Sequence, residues 1–105
     1  MINVLKGCRR ELEELPEEVR GDLADALARL DAGLVLSMPL SRPIPSIGRG
    51  VHELRLRDRS GTYRIVYALI QRGIVHVLHA FKKTTAATPA RNLDLAMKRL
   101  KEVQP

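Results

Sequence analysis

Basic side chains in the second half of this 105-residue chain have the type and spacing to bind an anion. In the segment HELRLR, Arg55 and Arg57 alternate with leucines, a pattern typical of a half-buried strand with one charged face. If Asp58 and Gly61 close a four-residue turn, Arg55 lies directly opposite Arg64 of the next strand. Because like charges in that position destabilise a sheet, we expect an anion between the two guanidinium groups. Their planar, forked geometry suits bidentate contacts with phosphate oxygens.

Further candidates for chemistry lie in the segment IVHVLHAFKK, which is predicted as the following strand. An imidazole changes charge near neutral pH, so His79 is a candidate for acid–base catalysis. Lys82 and Lys83 are candidates for phosphate binding or proton donation, and Phe81 for stacking on a base. The plainer interpretation is a buried histidine bonded to a neighbouring strand, followed by solvated lysines.

The sequence leaves open which face of its strand carries His79. A two-residue turn at Arg72-Gly73 puts His79 and Phe81 on the same face as the arginines. A three-residue turn with Gly73 as a bulge shifts the pairing by one residue, and this slip reverses the face.

The charge distribution supports a polyanionic partner. The formal net charge is +6, but residues 1–50 contribute −1 and residues 51–105 contribute +7. A basic half of this kind is typical of a surface that binds nucleic acid, although an acidic protein or an anionic membrane would also fit.

Other function classes are disfavoured by what the sequence lacks. Cys8 is the only cysteine, so we expect no internal disulfide and a small buried apolar side chain at that position. No His, Cys and Asp cluster has metal-ligand spacing, and we expect neither a metal nor another cofactor. No apolar run reaches roughly 18 residues and no signal peptide is visible, so we expect a cytoplasmic protein without a membrane partner.

Helices are predicted on either side of the strands. Leu5, Cys8, Leu12 and Leu15 predict a first amphipathic helix, after a short strand in residues 1–5. Pro16 suits the start of a second helix, and Gly33 suits its C-cap. The apolar face of the second helix comprises Val19, Leu23, Leu27, Leu30 and Leu34.

The rest of the chain predicts a loop, a sheet and a last helix. Residues 37–50 contain three prolines and two glycines and are predicted as a loop. Three strands from Val51 to Phe81, joined by short turns, predict an antiparallel meander whose third strand is central. Thr88 is expected as the N-cap and Pro89 as the first residue of the last helix. The fold class is therefore α+β, with residues 1–105 forming a single domain.

These residues resemble those of a known family. Glu53-Leu54-Arg55, then Ser60 to Tyr67, then Val77 to Thr84 are similar to the phage-derived, HigB-like branch of RelE-type toxins. The combination G-x-YR-x-x-Y followed by LHAFKK carries most of this resemblance, which extends over nearly the whole chain.

The resemblance implies a RelE-like fold: a small antiparallel sheet packed by two N-terminal helices and a C-terminal helix. It implies the toxin of a type II toxin–antitoxin system, an endoribonuclease without metal that cuts mRNA, usually on the ribosome. It also implies a cognate antitoxin, which we expect to be a small helix-turn-helix protein from the adjacent gene.

Site residues follow from matching positions. Arg55 and Arg64 would hold the scissile phosphate, and His79, Lys82 and Lys83 would complete the catalytic set. The expected RNA-binding residues are Arg57, Phe81, Arg91, Lys98, Arg99 and Lys101.

The sequence also departs from the family and leaves alternatives open. Glu53 stands where RelE has a basic residue, and the last helix lacks the tyrosine expected there. ParE-like toxins use the same fold to inhibit gyrase without cutting anything, so fold alone does not decide activity. A basic module that only binds nucleic acid is a third alternative.

Overall fold

The computed structural model describes residues 1–105 as three helices and five strands. In chain order the elements are β1 (Ile2–Val4), α1 (Lys6–Glu13), α2 (Glu17–Asp31), β2 (Ser41–Pro43), β3 (Val51–Asp58), β4 (Gly61–Gln71), β5 (Ile74–Lys83) and α3 (Ala90–Val103). The α+β class is confirmed. None of the three helices is long and apolar enough to cross a lipid bilayer.

One five-stranded sheet has the order β1-β5-β4-β3-β2. The predicted antiparallel meander is present as β3, β4 and β5, and β5 is an interior strand. The sheet as a whole is mixed, because β1 pairs with β5 in parallel beside this antiparallel meander. Within the meander, one edge of β5 has no partner strand. The short strand β1 pairs with part of this edge, and its apolar side chains Ile2 and Val4 pack against the core.

Helices cover both faces of the sheet. The apolar faces of α1 and α2 pack on one face, where Leu54, Leu56, Tyr63, Ile65 and Tyr67 lie together as predicted. Helix α3 packs on part of the other face through Ala96 and Leu100. The segment after α2 ends that helix as predicted: Gly33 has a φ of 88°, and its N–H donates to the Leu30 carbonyl at 3.0 Å.

Two boundaries differ from the sequence prediction. Residues 37–50 are not all loop, because Ser41–Pro43 form the edge strand β2 beside β3. Proline is tolerated there because an edge strand needs no donor on its outer side. Helix α3 begins at Ala90 with Pro89 at the cap position, so Thr88 is not the N-cap.

The register decides the question of His79. Arg55 pairs with Arg64, and Asp58 with Gly61, as predicted. The hairpin between β4 and β5 has the two-residue turn, with Gln71 opposite Ile74. Two register shifts along β5 offset each other, so Val66 is opposite His79 and Arg64 is opposite Phe81. His79 and Phe81 therefore lie on the same face as the arginines.

Candidate functional site

Helix α3 leaves one end of its face of the sheet uncovered, and basic side chains occupy that end. Adjacent strands bring them together in rows, and Arg42 is opposite Glu53. Arg55 pairs with Arg64, which in turn pairs with Phe81. Arg57 pairs with Thr62, which in turn pairs with Lys83. We call this surface the arginine face; it comprises Arg42, Arg55, Arg57, Arg64, Phe81 and Lys83. This set contains Arg55 and Arg64, which were predicted to bind phosphate, and adds one arginine that was not predicted, Arg42.

A groove of about 530 Å³ opens beside this surface. It is lined by Pro39, Leu40, Arg55, Leu56, Arg57, Thr62 and Arg64. Three guanidinium groups thus border one concave space, which favours binding of an anion by charge and by hydrogen bonds.

Arg64 is buried, unlike the other arginines of this face. It is only 6% exposed, and its Nε lies 3.4 Å from Glu53 Oε1 without forming a hydrogen bond. Burial lowers the pKa of Arg64; Glu53 opposes this effect, and the neighbouring Arg55 and Arg42 add to it. Arg64 therefore has an acid beside it, because Glu53 is its diagonal neighbour on the same face.

The other arginines of this face have no acidic partner. All carboxylates within 4 Å of a basic group belong to five pairs, and none of these includes Arg42, Arg55 or Arg57. Arg42 and Arg57 are exposed, and Arg55 is partly exposed. These three cations are available to an anionic ligand.

His79 lies on the arginine face but is only 4% exposed. Its Nδ1 is 2.9 Å from Glu11 Oε1, and its Nε2 is 2.7 Å from Asn92 Oδ1. Both ring nitrogens therefore have partners from helices α1 and α3, and neither is free to contact a substrate in this conformation. Phe81 stacks on the imidazole with ring centroids 5.2 Å apart and planes inclined by 22°.

His79 belongs to a second group of polar and charged residues. We call this group the Glu11 network: Glu11, His79, Asn92 and Arg99. Arg99 Nη1 donates to Glu11 Oε1 at 2.7 Å and to the Leu78 carbonyl at 2.9 Å. Its Nη2 donates to the Gly7 carbonyl at 3.1 Å. The Arg99 side chain is 12% exposed and connects α3 to α1 and β5, so its donors are occupied within the protein; its role in RNA binding stays a prediction.

Burial by itself would raise the pKa of Glu11. Hydrogen bonds from Arg99, from His79 and from the backbone N–H of Ala80 outweigh that effect and lower the pKa. Glu11 is therefore an ionised acceptor at neutral pH. Beside it, burial and the Glu11 charge raise the pKa of Cys8 to about 12, which makes Cys8 the inert buried side chain that we expected.

The two adjacent lysines are separated by the sheet. Lys83 lies on the arginine face, where its Nζ donates to the Ala86 carbonyl at 2.9 Å. Lys82 pairs with Tyr63 and points to the opposite face, with its side chain packed over Gly61. Successive residues of a strand alternate between faces, so the two lysines cannot serve one phosphate together.

The remaining basic candidates lie along α3 and are exposed. Arg91 is in the first turn of the helix. Lys98 borders a separate groove formed with residues of β1 and α1, and Lys101 is in the last turn. Of these three, Arg91 is at the end of α3 that follows β5 and the arginine face.

Sequence reasoning missed Arg42, Glu11 and Asn92. Arg42 stood in a proline-rich segment that was predicted as a loop, so its pairing with β3 was invisible. Glu11 and Asn92 come from two helices that approach His79 only in the folded chain. Glu53 was detectable, because its parity with Arg55 places it on the charged face. No three His, Cys, Asp or Glu side chains lie together as ligands for a metal ion.

Comparisons with known proteins agree with this architecture. Residues 10–101 match the model of the family described as Phage derived protein Gp49-like. The isolated E. coli RelE toxin has a similar structure, with a TM-score of 0.58 and 18% identity over 99% of this chain and 98% of that one. A double arginine-to-alanine mutant of E. coli toxin RelE in the free state gives a TM-score of 0.52 at 18% identity, covering 99% of this chain and 97% of that one. No curated protein sequence matches significantly. The chain belongs to the phage-derived Gp49-like family and has the fold of the RelE toxin.

Proposed function

We propose that this protein is the toxin of a type II toxin–antitoxin pair, and that it cuts mRNA as an endoribonuclease without a metal ion. The observation that carries this proposal is the arginine face. Arg42, Arg55 and Arg57 have no carboxylate partner, and they surround the buried Arg64 beside a groove on a RelE-like sheet. Cations kept together without counter-ions favour a polyanionic ligand.

Cleavage would proceed by attack of a ribose 2′-hydroxyl on the adjacent phosphate, with loss of the 5′-oxygen of the next nucleotide. Negative charge accumulates on the non-bridging oxygens in the transition state, where Arg55 and Arg64 would stabilise it. Arg57 and Arg42 would hold the neighbouring phosphates, and Phe81 would stack on an unpaired base. Arg91, Lys98 and Lys101 would add sequence-independent contacts to RNA or ribosome phosphates.

Fewer side chains are available for proton transfer than for phosphate binding. Lys83 lies on the correct face and becomes available if its bond to the Ala86 carbonyl opens. His79 remains a proposed participant, but it would have to exchange a bond to Glu11 or Asn92 for one to substrate. Lys82, on the other face, is the weakest member of the proposed set. A general acid or base contributes about 10² to 10⁴ in rate, so we expect slow cleavage compared with an enzyme that has a free base.

The proposed partners follow from the same chemistry. A translating ribosome presents single-stranded mRNA, and we therefore place the activity in the cytoplasm on the ribosome. A cognate antitoxin, proposed as a small helix-turn-helix protein, would silence the toxin.

The first experiment is induced expression in a bacterial host, with and without the adjacent small gene. We expect growth arrest and fragmented mRNA, both relieved by co-expression. The matched control is Arg55→Ala, which should accumulate as folded protein without arresting growth. Normal growth with soluble, folded protein of the unmutated sequence would contradict the proposal.

A ParE-like inhibitor of gyrase is the second candidate function. The observation that favours it is the occupied state of both His79 nitrogens, because binding alone needs no proton transfer. Purified protein distinguishes the two functions. Inhibition of gyrase-catalysed supercoiling, with no cleavage of RNA on or off the ribosome, would select the inhibitor.

A further inference from the structure

Glu11 is the centre of the buried network beside the arginine face, although it has no role in the proposed cleavage chemistry. One carboxylate oxygen accepts three hydrogen bonds: from Arg99 Nη1 at 2.7 Å, His79 Nδ1 at 2.9 Å and the Ala80 N–H at 3.1 Å. The bond from Arg99 joins α3 to α1, and the bond from Ala80 joins α1 to the backbone of β5. The third fixes the orientation of the His79 ring.

Asn92 completes the restraint on that ring from the other side. Its Oδ1 lies 2.7 Å from His79 Nε2, and Asn92 is itself buried in the first turn of α3. An imidazole bonded at both nitrogens cannot rotate about its χ angles without losing a buried hydrogen bond, which is unfavourable because the buried partner is left unsatisfied. The His79 ring is therefore held in one orientation inside the protein.

Phe81 stacks on the His79 ring at the edge of the arginine face. The two rings are nearly parallel at 5.2 Å, and Phe81 is directly opposite Arg64 on the neighbouring strand. Phe81 is partly exposed, so part of its ring remains accessible for stacking on a base while His79 packs against it inside the protein.

We propose that Glu11 and Asn92 are positioning residues, which hold His79 and thereby fix Phe81 where it stacks on one unstacked RNA base beside the Arg64 phosphate. The inference rests on the proposed ribonuclease function and adds a base-binding element to it. A displaced reactive geometry of about 1 Å can cost up to 10² in rate, whereas overall affinity depends on the unchanged arginines.

Substitutions at Asn92 and Glu11 separate positioning from a general structural role. Asn92→Leu removes the bond to His79 but leaves the Glu11–Arg99 contact between helices intact. Asn92→Asp retains an oxygen acceptor at the same place and should rescue the rate. Glu11→Gln weakens the restraint from the opposite side. Glu13→Gln is the matched control on α1, because Glu13 is exposed and borders a groove with α2 rather than the surroundings of Phe81.

The experiment measures cleavage of a short single-stranded RNA, or of mRNA on ribosomes if free RNA is not cut. We expect Glu11→Gln and Asn92→Leu to lower kcat by roughly 10- to 100-fold, with a much smaller change in KM. Asn92→Asp should stay within about threefold of the unmutated protein, and Glu13→Gln should match it. On a Phe81→Leu background, Glu11→Gln should have almost no further effect, because residues that act through one another are not additive.

Full additivity with Phe81→Leu, or unchanged kcat in both folded variants, would overturn the inference while leaving the ribonuclease function standing. If the unmutated protein cuts no RNA, the proposed function fails, and NMR decides the positioning role independently. Asn92→Leu should then shift the His79 ring-nitrogen and Phe81 ring resonances, and Glu13→Gln should not. Unshifted Phe81 resonances in Asn92→Leu would overturn the inference in that case too.

Discussion

The arginine face and the Glu11 network both contain arginine, but its surroundings in the two regions are opposite. In the network, Arg99 is mostly buried and donates three hydrogen bonds, one of them to an ionised carboxylate. On the arginine face, Arg55 and Arg57 have no carboxylate within 4 Å, and Arg64 has one, that of Glu53, at 3.4 Å. Arginine is the same residue in both regions, and its surroundings decide its role.

This difference shows how a count of charges misleads. A cation whose donors are satisfied inside the protein is not available to a ligand, and its removal leaves its buried partner without a counter-ion. A cation that lies beside others without an acid destabilises the free protein slightly and favours an anion. Arg99 and Arg55 are therefore opposite cases, and substitution should separate them.

The largest effect should come from the open cations. Arg55→Ala should lower RNA cleavage by about 10² to 10³, the usual cost of removing one group that stabilises transition-state charge. Its free energy of unfolding should change by less than about 0.5 kcal/mol, because Arg55 has no acidic partner to leave behind. Cleavage assays and thermal melts on the same preparation check both values. Unfolding of this variant would show that the arginine face is structural.

The next effect concerns the network. Arg99→Ala should lower the free energy of unfolding by about 3 kcal/mol, because it leaves Glu11 and the Leu78 carbonyl without their main donor. Lys98→Ala, at the exposed neighbouring position of α3, is the control and should change stability by less than about 0.5 kcal/mol. Urea denaturation measures the difference. Equal stabilities of the two variants would remove the distinction between the regions.

Arg64 is intermediate between Arg99 and Arg55, because it is buried but has only one carboxylate nearby. Arg64→Ala should cost about 1–3 kcal/mol of stability, because Glu53 stays buried without its nearest cation. Adding Glu53→Gln should recover part of this loss. If the two substitutions are additive instead, the 3.4 Å contact contributes nothing, and Arg64 belongs with the open cations.

The smallest effect is a dependence on pH. The pKa of Glu11 is lowered below its ordinary value of 4.5, so the unfolded chain takes up this proton first as the pH falls. The contribution of Glu11 to stability is therefore complete above about pH 4.5 and is lost as the pH falls through the lower, folded-state pKa. The stability difference between the unmutated protein and Glu11→Gln should shrink over this range. A difference that is constant with pH would show that Glu11 acts without its charge.

Local patterns predicted most of the elements. Alternation of leucine with arginine predicted β3 and its charged face, and the Asp58–Gly61 turn predicted the Arg55–Arg64 pair. These features depend on neighbours in sequence, where the periods of strand and helix act directly. Strands β1 and β2 are too short for a period to show, and β2 contains a proline, so their pairing was not predicted.

The sequence by itself determined that the β3–β4 hairpin has a charged face and that Arg55, Arg57 and Arg64 lie on it. The tertiary structure decided which of the basic residues remain free, because that depends on acids from distant segments. Glu11 and Arg99 are 88 positions apart in the chain, and Glu11 and His79 are 68 apart. No local period reports a contact of that kind. The same packing buries the catalytic candidate His79 and bonds it at both ring nitrogens, because α1 and α3 meet over the irregular part of β5.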